Sequence, residues 1–174
     1  MLHVPAPAEL LYDSPLFRSM EPAVQEHLAR RARYRPFADD ERILRAGEPG
    51  GALLILLSGR AEVYARDGAS RLRIAVIGPG DLFGEIAFFA PDLPRTADVV
   101  GREPGVVAEL GIELYLELVR TRPHAAAAIE KAVLAVLADR LESTNALIAP
   151  MMDRYRGDGP SGALTWLRGL MGGR

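Results

Sequence analysis

Phe83-Gly84-Glu85-Ile86-Ala87-Phe88-Phe89, followed by Pro94-Arg95-Thr96-Ala97, is the stretch on which the reading of this chain turns. Its character is helical rather than alternating, and it lies inside a region of alternating residues, so it predicts a single helical turn inserted between strands. The start of such a turn exposes backbone N–H groups at which an anion is stabilised. Gly84 frees the backbone, Glu85 supplies a carboxylate that accepts two hydroxyl hydrogen bonds, and Arg95 supplies a planar donor fork that matches phosphate oxygens. Together they describe a pocket for a ribose and its phosphate. A plainer alternative, a Glu85–Arg95 salt bridge in a loop, leaves the glycine directly before the carboxylate unexplained.

Outward from this stretch, residues 34 to 110 read with period two. Ala61, Val63 and Ala65 alternate with Glu62, Tyr64 and Arg66, and Leu72, Ile74 and Val76 alternate with Arg71, Arg73 and Ala75, which predicts half-buried strands. Leu53 to Leu57 is apolar throughout and bounded by Gly50-Gly51 and Ser58-Gly59, as expected of a central strand covered on both faces. Turn signals at Gly47, Gly59, Asp67-Gly68, Gly78-Pro79-Gly80-Asp81 and Gly101 divide the region into seven or eight short strands, and such spacing favours an antiparallel sandwich or jelly roll.

Helices flank this region. Residues 1–13 show no periodicity and read as an irregular arm. Ser14-Pro15 supplies an N-cap and first-turn proline for a short helix over Leu16 to Met20, and Glu21-Pro22 starts a second with Val24, Leu28 and Ala32 on one face. Beyond Gly111, Glu113 to Thr121 reads as one helix and Ala125 to Ala149 as a longer one ended by Pro150. The long helix carries two apolar stripes: Ile129, Val133, Val136 and Leu147 on one, Leu134, Leu137, Leu141 and Ile148 on the other. One stripe can pack on the sheet; the other calls for a partner, most simply the same helix of a second subunit about a two-fold axis. The alternative is that both stripes are buried by the chain's own barrel and tail. Residues 150–174 read as a flexible tail with a short apolar segment around Trp166, either folded back as a cap or serving as a docking peptide.

Composition narrows the function. With 174 residues and 49% hydrophobic content the chain can bury one core. It has no cysteine, and its three histidines, His3, His27 and His124, lack ligand spacing, so no metal site is expected. A net charge of −2 argues against a surface built for nucleic acid, and Lys131 is the only lysine among 21 basic residues, an excess of arginine that base composition of the genome explains. No apolar run is long enough for a membrane span, so a soluble, cytoplasmic protein is expected. No nucleophile–base pair, phosphate loop or kinase signature is present, which points away from an enzyme.

With these residues in place the chain resembles the cyclic nucleotide-binding domains of catabolite-activator-type bacterial regulators and of cyclic nucleotide-dependent kinases and channels. The resemblance runs over about residues 14–148 and rests on an ordered set: Gly47, Leu57-Ser58-Gly59-Arg60-Ala61-Glu62-Val63, Gly78-Pro79-Gly80-Asp81, Phe83-Gly84-Glu85-Ile86-Ala87 and Pro94-Arg95-Thr96-Ala97. It implies that Glu85 binds the ribose 2′-hydroxyl and Arg95 the cyclic phosphate. Gly84, Ile86 and Ala87 would lend backbone groups, and Thr96 its hydroxyl or amide. It further implies that Thr144 and Asn145, on the long helix, read the purine edge, Asn145 from the second subunit; the alternative is that they cap or solvate the helix end. Phe88 and Phe89 are expected in the core rather than stacked on a base.

The expected architecture is mainly β with flanking helices: an antiparallel jelly roll with an N-terminal helical cap and a long C-terminal helix, residues 14–149 forming the domain. The bacterial regulators resembled here continue into a winged helix-turn-helix, for which the roughly 25 residues after Pro150 are too few. The expectation is therefore a stand-alone receptor for cyclic AMP, with cyclic GMP as alternative ligand, that needs no cofactor, binds no DNA and signals as a homodimer to a separate protein. Its rival is a scaffold of the same fold whose pocket is empty or takes a cyclic dinucleotide.

Overall fold

The structure, a computed structural model, describes residues 6–67 and 70–156, with side chains over 6–65 and 71–146. The readings placed on residues 1–5 and on the tail beyond 156, Trp166 included, lie outside the described residues. The chain divides into two units, Met1–Val133 and Leu134–Arg174.

In the first unit three short helices lead into the sheet: α1 (Pro7–Tyr12), α2 (Pro15–Arg18) and α3 (Pro22–Arg31). Each begins with proline, which has no N–H to leave unsatisfied in the first turn. Ser14 caps α2, its hydroxyl accepting from Phe17 N at 3.4 Å. Helix α1 corrects the expectation of an irregular arm: Pro7 opens it and the Glu9 carboxylate reaches back to Ala6 N at 3.0 Å.

Six strands follow among the described residues: β1 (Arg33–Phe37), β2 (Arg42–Leu44), β3 (Ala52–Asp67), β4 (Ser70–Ile77), β5 (Leu82–Phe83) and β6 (Asp98–Gly111). They form one antiparallel sheet in the order β1-β6-β3-β4, with β2 also on β6 and β5 on β3. Strand number and length differ from the expected seven or eight short strands. Ser58-Gly59 and Gly101 do not end strands; β3 runs through the first as a series of register shifts between Leu56 and Ala61, and β6 runs through the second. The fold class is the expected one.

Leu53 to Leu57 are all buried, as a strand covered on both faces requires. Leu54 and Leu56 join Phe37, Ile43, Ile77, Phe83 and Val107 in the core, and α1 packs on β3 and β6. Strand β4 departs from its simple alternation. Val63 pairs with Ala75 but Tyr64 pairs with Arg73, so Ile74 is skipped and the phase reverses there. Leu72, Ile74 and Val76 are all exposed rather than half-buried, β4 standing at the edge of the sheet.

After β5 comes α4 (Glu85–Phe89), the expected helical turn, then β6, α5 (Ile112–Thr121) and α6 (Pro123–Arg156). Ile129 and Val133 are buried as anticipated for the first stripe. Helix α6 continues through Pro150, which corrects the predicted stop: proline forgoes one backbone bond to the preceding turn, and helical residues on both sides carry the element on. In the second unit the α6 residues Leu134, Leu137 and Leu141 are exposed. No helix among the described residues is long and apolar enough to cross a membrane.

Candidate functional site

Strand β5 ends at Phe83, and Gly84 turns the chain into α4 with φ of 79°. That left-handed conformation is costly for any residue with a Cβ, and a Cβ here would also meet the Arg95 guanidinium and come within 3.1 Å of Leu54 Cδ1. Glycine is thus required twice, for backbone conformation and for space. Glu85 is the first residue of α4 and is 2% exposed. Ala87, two residues on, lies against Gly50: a Cβ on Gly50 would overlap that of Ala87 and approach its carbonyl oxygen to 2.7 Å. Gly50, read with Gly51 as a strand boundary, therefore also seats α4.

Arg95 enters from the loop before β6 and is 8% exposed. Its guanidinium donates to the carbonyls of Gly84 at 2.8 Å and Ala52 at 3.1 Å. The loop is held at both ends of its residue: Arg95 N donates to Glu48 O and Gly47 N to Arg95 O, each at 2.8 Å. Burial pulls the guanidinium below its ordinary pKa, opposed by the negative charges of Glu85, Glu109 and Glu48. The result is a buried cation held in place by backbone, with further N–H groups available and a buried carboxylate within its field.

Gly84, Glu85 and Arg95 are thus brought together, with Ile86 half-buried and Ala87 buried on the same turn. Thr96 follows Arg95 in the chain and is exposed. Thr144 and Asn145 belong to the second unit, both exposed, and the Thr144 hydroxyl donates to Arg140 O at 2.8 Å. Phe88 is in the core as expected, but Phe89 is 38% exposed, which corrects its placement. Its ring stands edge-on to Phe88 and Tyr115.

Two features escaped the sequence reading. The Ala52 carbonyl acts through the backbone, which no side-chain pattern marks. The outer side of the sheet carries a polar cluster around Glu62, itself 6% exposed: Tyr64 Oη donates to it at 2.6 Å, Arg73 at 2.8 Å and Arg102 at 2.9 Å. Arg102 also pairs with Asp40, and Arg71 lies over the Tyr64 ring at 4.6 Å. These bonds, that of Tyr64 first, hold Glu62 down at about 2. The alternation of Glu62, Tyr64, Arg71 and Arg73 marked the outer face but not which residues meet across strands.

Comparison with known proteins adds an independent line. The family model described as cyclic nucleotide-binding domain matches residues 34–122. A CRP-like cAMP-activated global transcriptional regulator of Mycobacterium tuberculosis is 29% identical over 146 residues, covering 83% of this chain and 62% of that protein. Glutaminase 2 of Bradyrhizobium diazoefficiens is 34% identical over 114 residues, which is 66% of this chain and 18% of that one. The chain therefore spans less than two thirds of either relative. Among solved structures, a cyclic nucleotide-binding domain from Methylobacillus flagellatus shares the fold with a TM-score of 0.72 at 23% identity, over 83% of this chain and 81% of the other.

Proposed function

The chain belongs to the cyclic nucleotide-binding domain family, and from that premise we propose that it is a receptor for a cyclic mononucleotide, cyclic AMP first, that passes occupancy to a partner protein. The observation that carries this reading is the buried Arg95 guanidinium, fixed by the Gly84 and Ala52 carbonyls beside the buried carboxylate of Glu85. A prearranged cation next to an acceptor matches a ligand whose phosphate and ribose hydroxyl lie side by side. In this reading Arg95 binds the cyclic phosphate, Glu85 accepts from the 2′-hydroxyl, and Gly84, Ile86, Ala87 and Thr96 add backbone or hydroxyl contacts. Thr144 and Asn145 are assigned to the base edge.

The relatives support cyclic AMP by what they are named for, a cAMP-activated regulator and a cAMP-dependent protein kinase regulatory subunit. The family is a regulatory rather than a catalytic one, so a binding role is favoured over turnover. A net charge of −2 favours a protein partner over DNA.

A second reading has its own support: one protein that shares the fold, a regulator from Xanthomonas campestris, is described as c-di-GMP responsive, which keeps a cyclic dinucleotide as the alternative ligand. A thermal-shift screen separates the two, because a ligand that binds only the native state raises its stability. Cyclic AMP or cyclic GMP is expected to raise Tm by several degrees at millimolar concentration. A shift with cyclic dinucleotides alone would replace the ligand, and no shift with any of them would leave the fold as a scaffold.

A further inference from the structure

Helix α4 carries two things at opposite ends of five residues: Glu85 at its start and the Phe88-Phe89 pair at its close. The aromatic pair, Phe88 buried and Phe89 exposed, shares a neighbour. Both rings stand edge-on to Tyr115 of α5, with centroids 5.5 Å away for Phe88 and 5.2 Å for Phe89, and 4.9 Å from each other. Tyr115 is half-buried, and its polar end points the other way: the hydroxyl donates to Glu130 Oε1 of α6 at 2.6 Å. That short, charge-assisted bond also pushes the phenol up to about 12, so the hydroxyl keeps its proton and remains a donor throughout the neutral range.

One side chain of α5 therefore touches two other helices, holding the turn that bears Glu85 by its ring and the first-unit part of α6 by its hydroxyl. We propose that Tyr115 is a positioning residue that couples α4 to α6, its bond to Glu130 converting a movement of the Phe88-Phe89 pair into a change in how α6 is held. The inference rests on the receptor reading above, since it takes ligand binding as the event that moves or fixes α4. A ring packed against two others transmits displacement because packed side chains have few alternative arrangements, while a single hydrogen bond at its far end can be made or broken. A purely structural tyrosine would serve equally well without a carboxylate on α6 to receive its hydroxyl.

The test uses the full chain and hydrogen exchange of the α6 amides with and without cyclic AMP, alongside calorimetric affinity. In the wild type cyclic AMP is expected to change exchange in residues 123–133. Tyr115→Phe keeps the ring contacts and removes the hydroxyl; Glu130→Gln keeps the shape and removes the charge. Each is expected to cut the ligand-dependent change at least threefold while Tm stays within a few degrees, and the double variant is expected to lose no more than either alone. Reciprocity requires affinity to move by the same coupling factor, so a modest rise in Kd, below tenfold, is also expected. Variants that retain the full ligand-dependent change would overturn the coupling and leave the receptor reading standing. A wild type that does not bind cyclic AMP or cyclic GMP would withdraw the receptor reading and this inference with it.

Discussion

Gly84 concentrates the site's requirements in one residue. Its φ of 79° is open to glycine, and the space where a Cβ would sit is occupied by the Arg95 guanidinium. Gly84→Ala should therefore cost about 1–2 kcal/mol of stability through the left-handed backbone and should also displace the Arg95 fork. Cyclic AMP affinity is expected to fall at least tenfold, measured by calorimetry on protein whose Tm has dropped only a few degrees. An unchanged affinity would mean that the guanidinium does not need its present position. At this scale the sequence was informative wherever chemistry is carried by side-chain type and order: a glycine, a carboxylate and an arginine at fixed separation. It was silent where the backbone does the work, as with the Ala52 carbonyl, and where a residue is defined by what lies above it, as with Tyr115 beneath Phe88 and Phe89.

Among the elements, β3 and β4 show where period-two reading stops. The alternation marked both as strands, but the pairing skips Ile74 and reverses the phase there, and Leu72, Ile74 and Val76 are all exposed on β4, an edge strand. A bulge is a backbone event with no fixed residue signature, so sequence fixes the strand and not its phase. The same strands hold Glu62 under Tyr64, Arg73 and Arg102, which ties β3, β4 and β6 together. This predicts a pH dependence with a definite sign. The folded protein holds Glu62 at about 2 against an ordinary 4.5, so the unfolded chain takes up its proton first as pH falls. The stabilisation is complete above about pH 4.5 and is lost as pH descends towards 2. Thermal melts of wild type and Glu62→Gln from pH 7 to pH 2.5 should converge at the acid end, with the variant less stable at neutral pH. Parallel curves would show that the cluster contributes nothing to acid sensitivity. Helix α5 plays a junction role of its own: its Glu117 accepts from Arg31 at 2.8 Å and lies 3.0 Å from His27, both on α3, and Arg31 first and His27 after it hold the carboxyl below its ordinary range.

For the whole molecule, the order of helical cap, strands, inserted turn and long helix was readable because each carries its own periodicity and punctuation. Strand count was not, since glycines that look like turns also serve as register shifts inside long strands. Leu134, Leu137 and Leu141 remain exposed on α6, and a stripe at three- and four-residue spacing is the pattern of a helix pair. We expect a homodimer through this stripe. Light scattering after size exclusion should report twice the 18.9 kDa chain mass for wild type and the single mass for Leu137→Glu combined with Leu141→Glu. A monomeric wild type would contradict it.

If the buried Arg95 is the anion-binding group of a cyclic nucleotide receptor, replacing it must weaken ligand binding, and calorimetric titration of cyclic AMP into wild type and Arg95→Ala measures that loss. Removing a hydrogen bond to a charged group costs about 1.5–3 kcal/mol, so Kd should rise at least tenfold in a variant that remains folded by circular dichroism. Equal affinities in the two proteins would take Arg95 out of the site and with it the assignment on which the receptor reading stands.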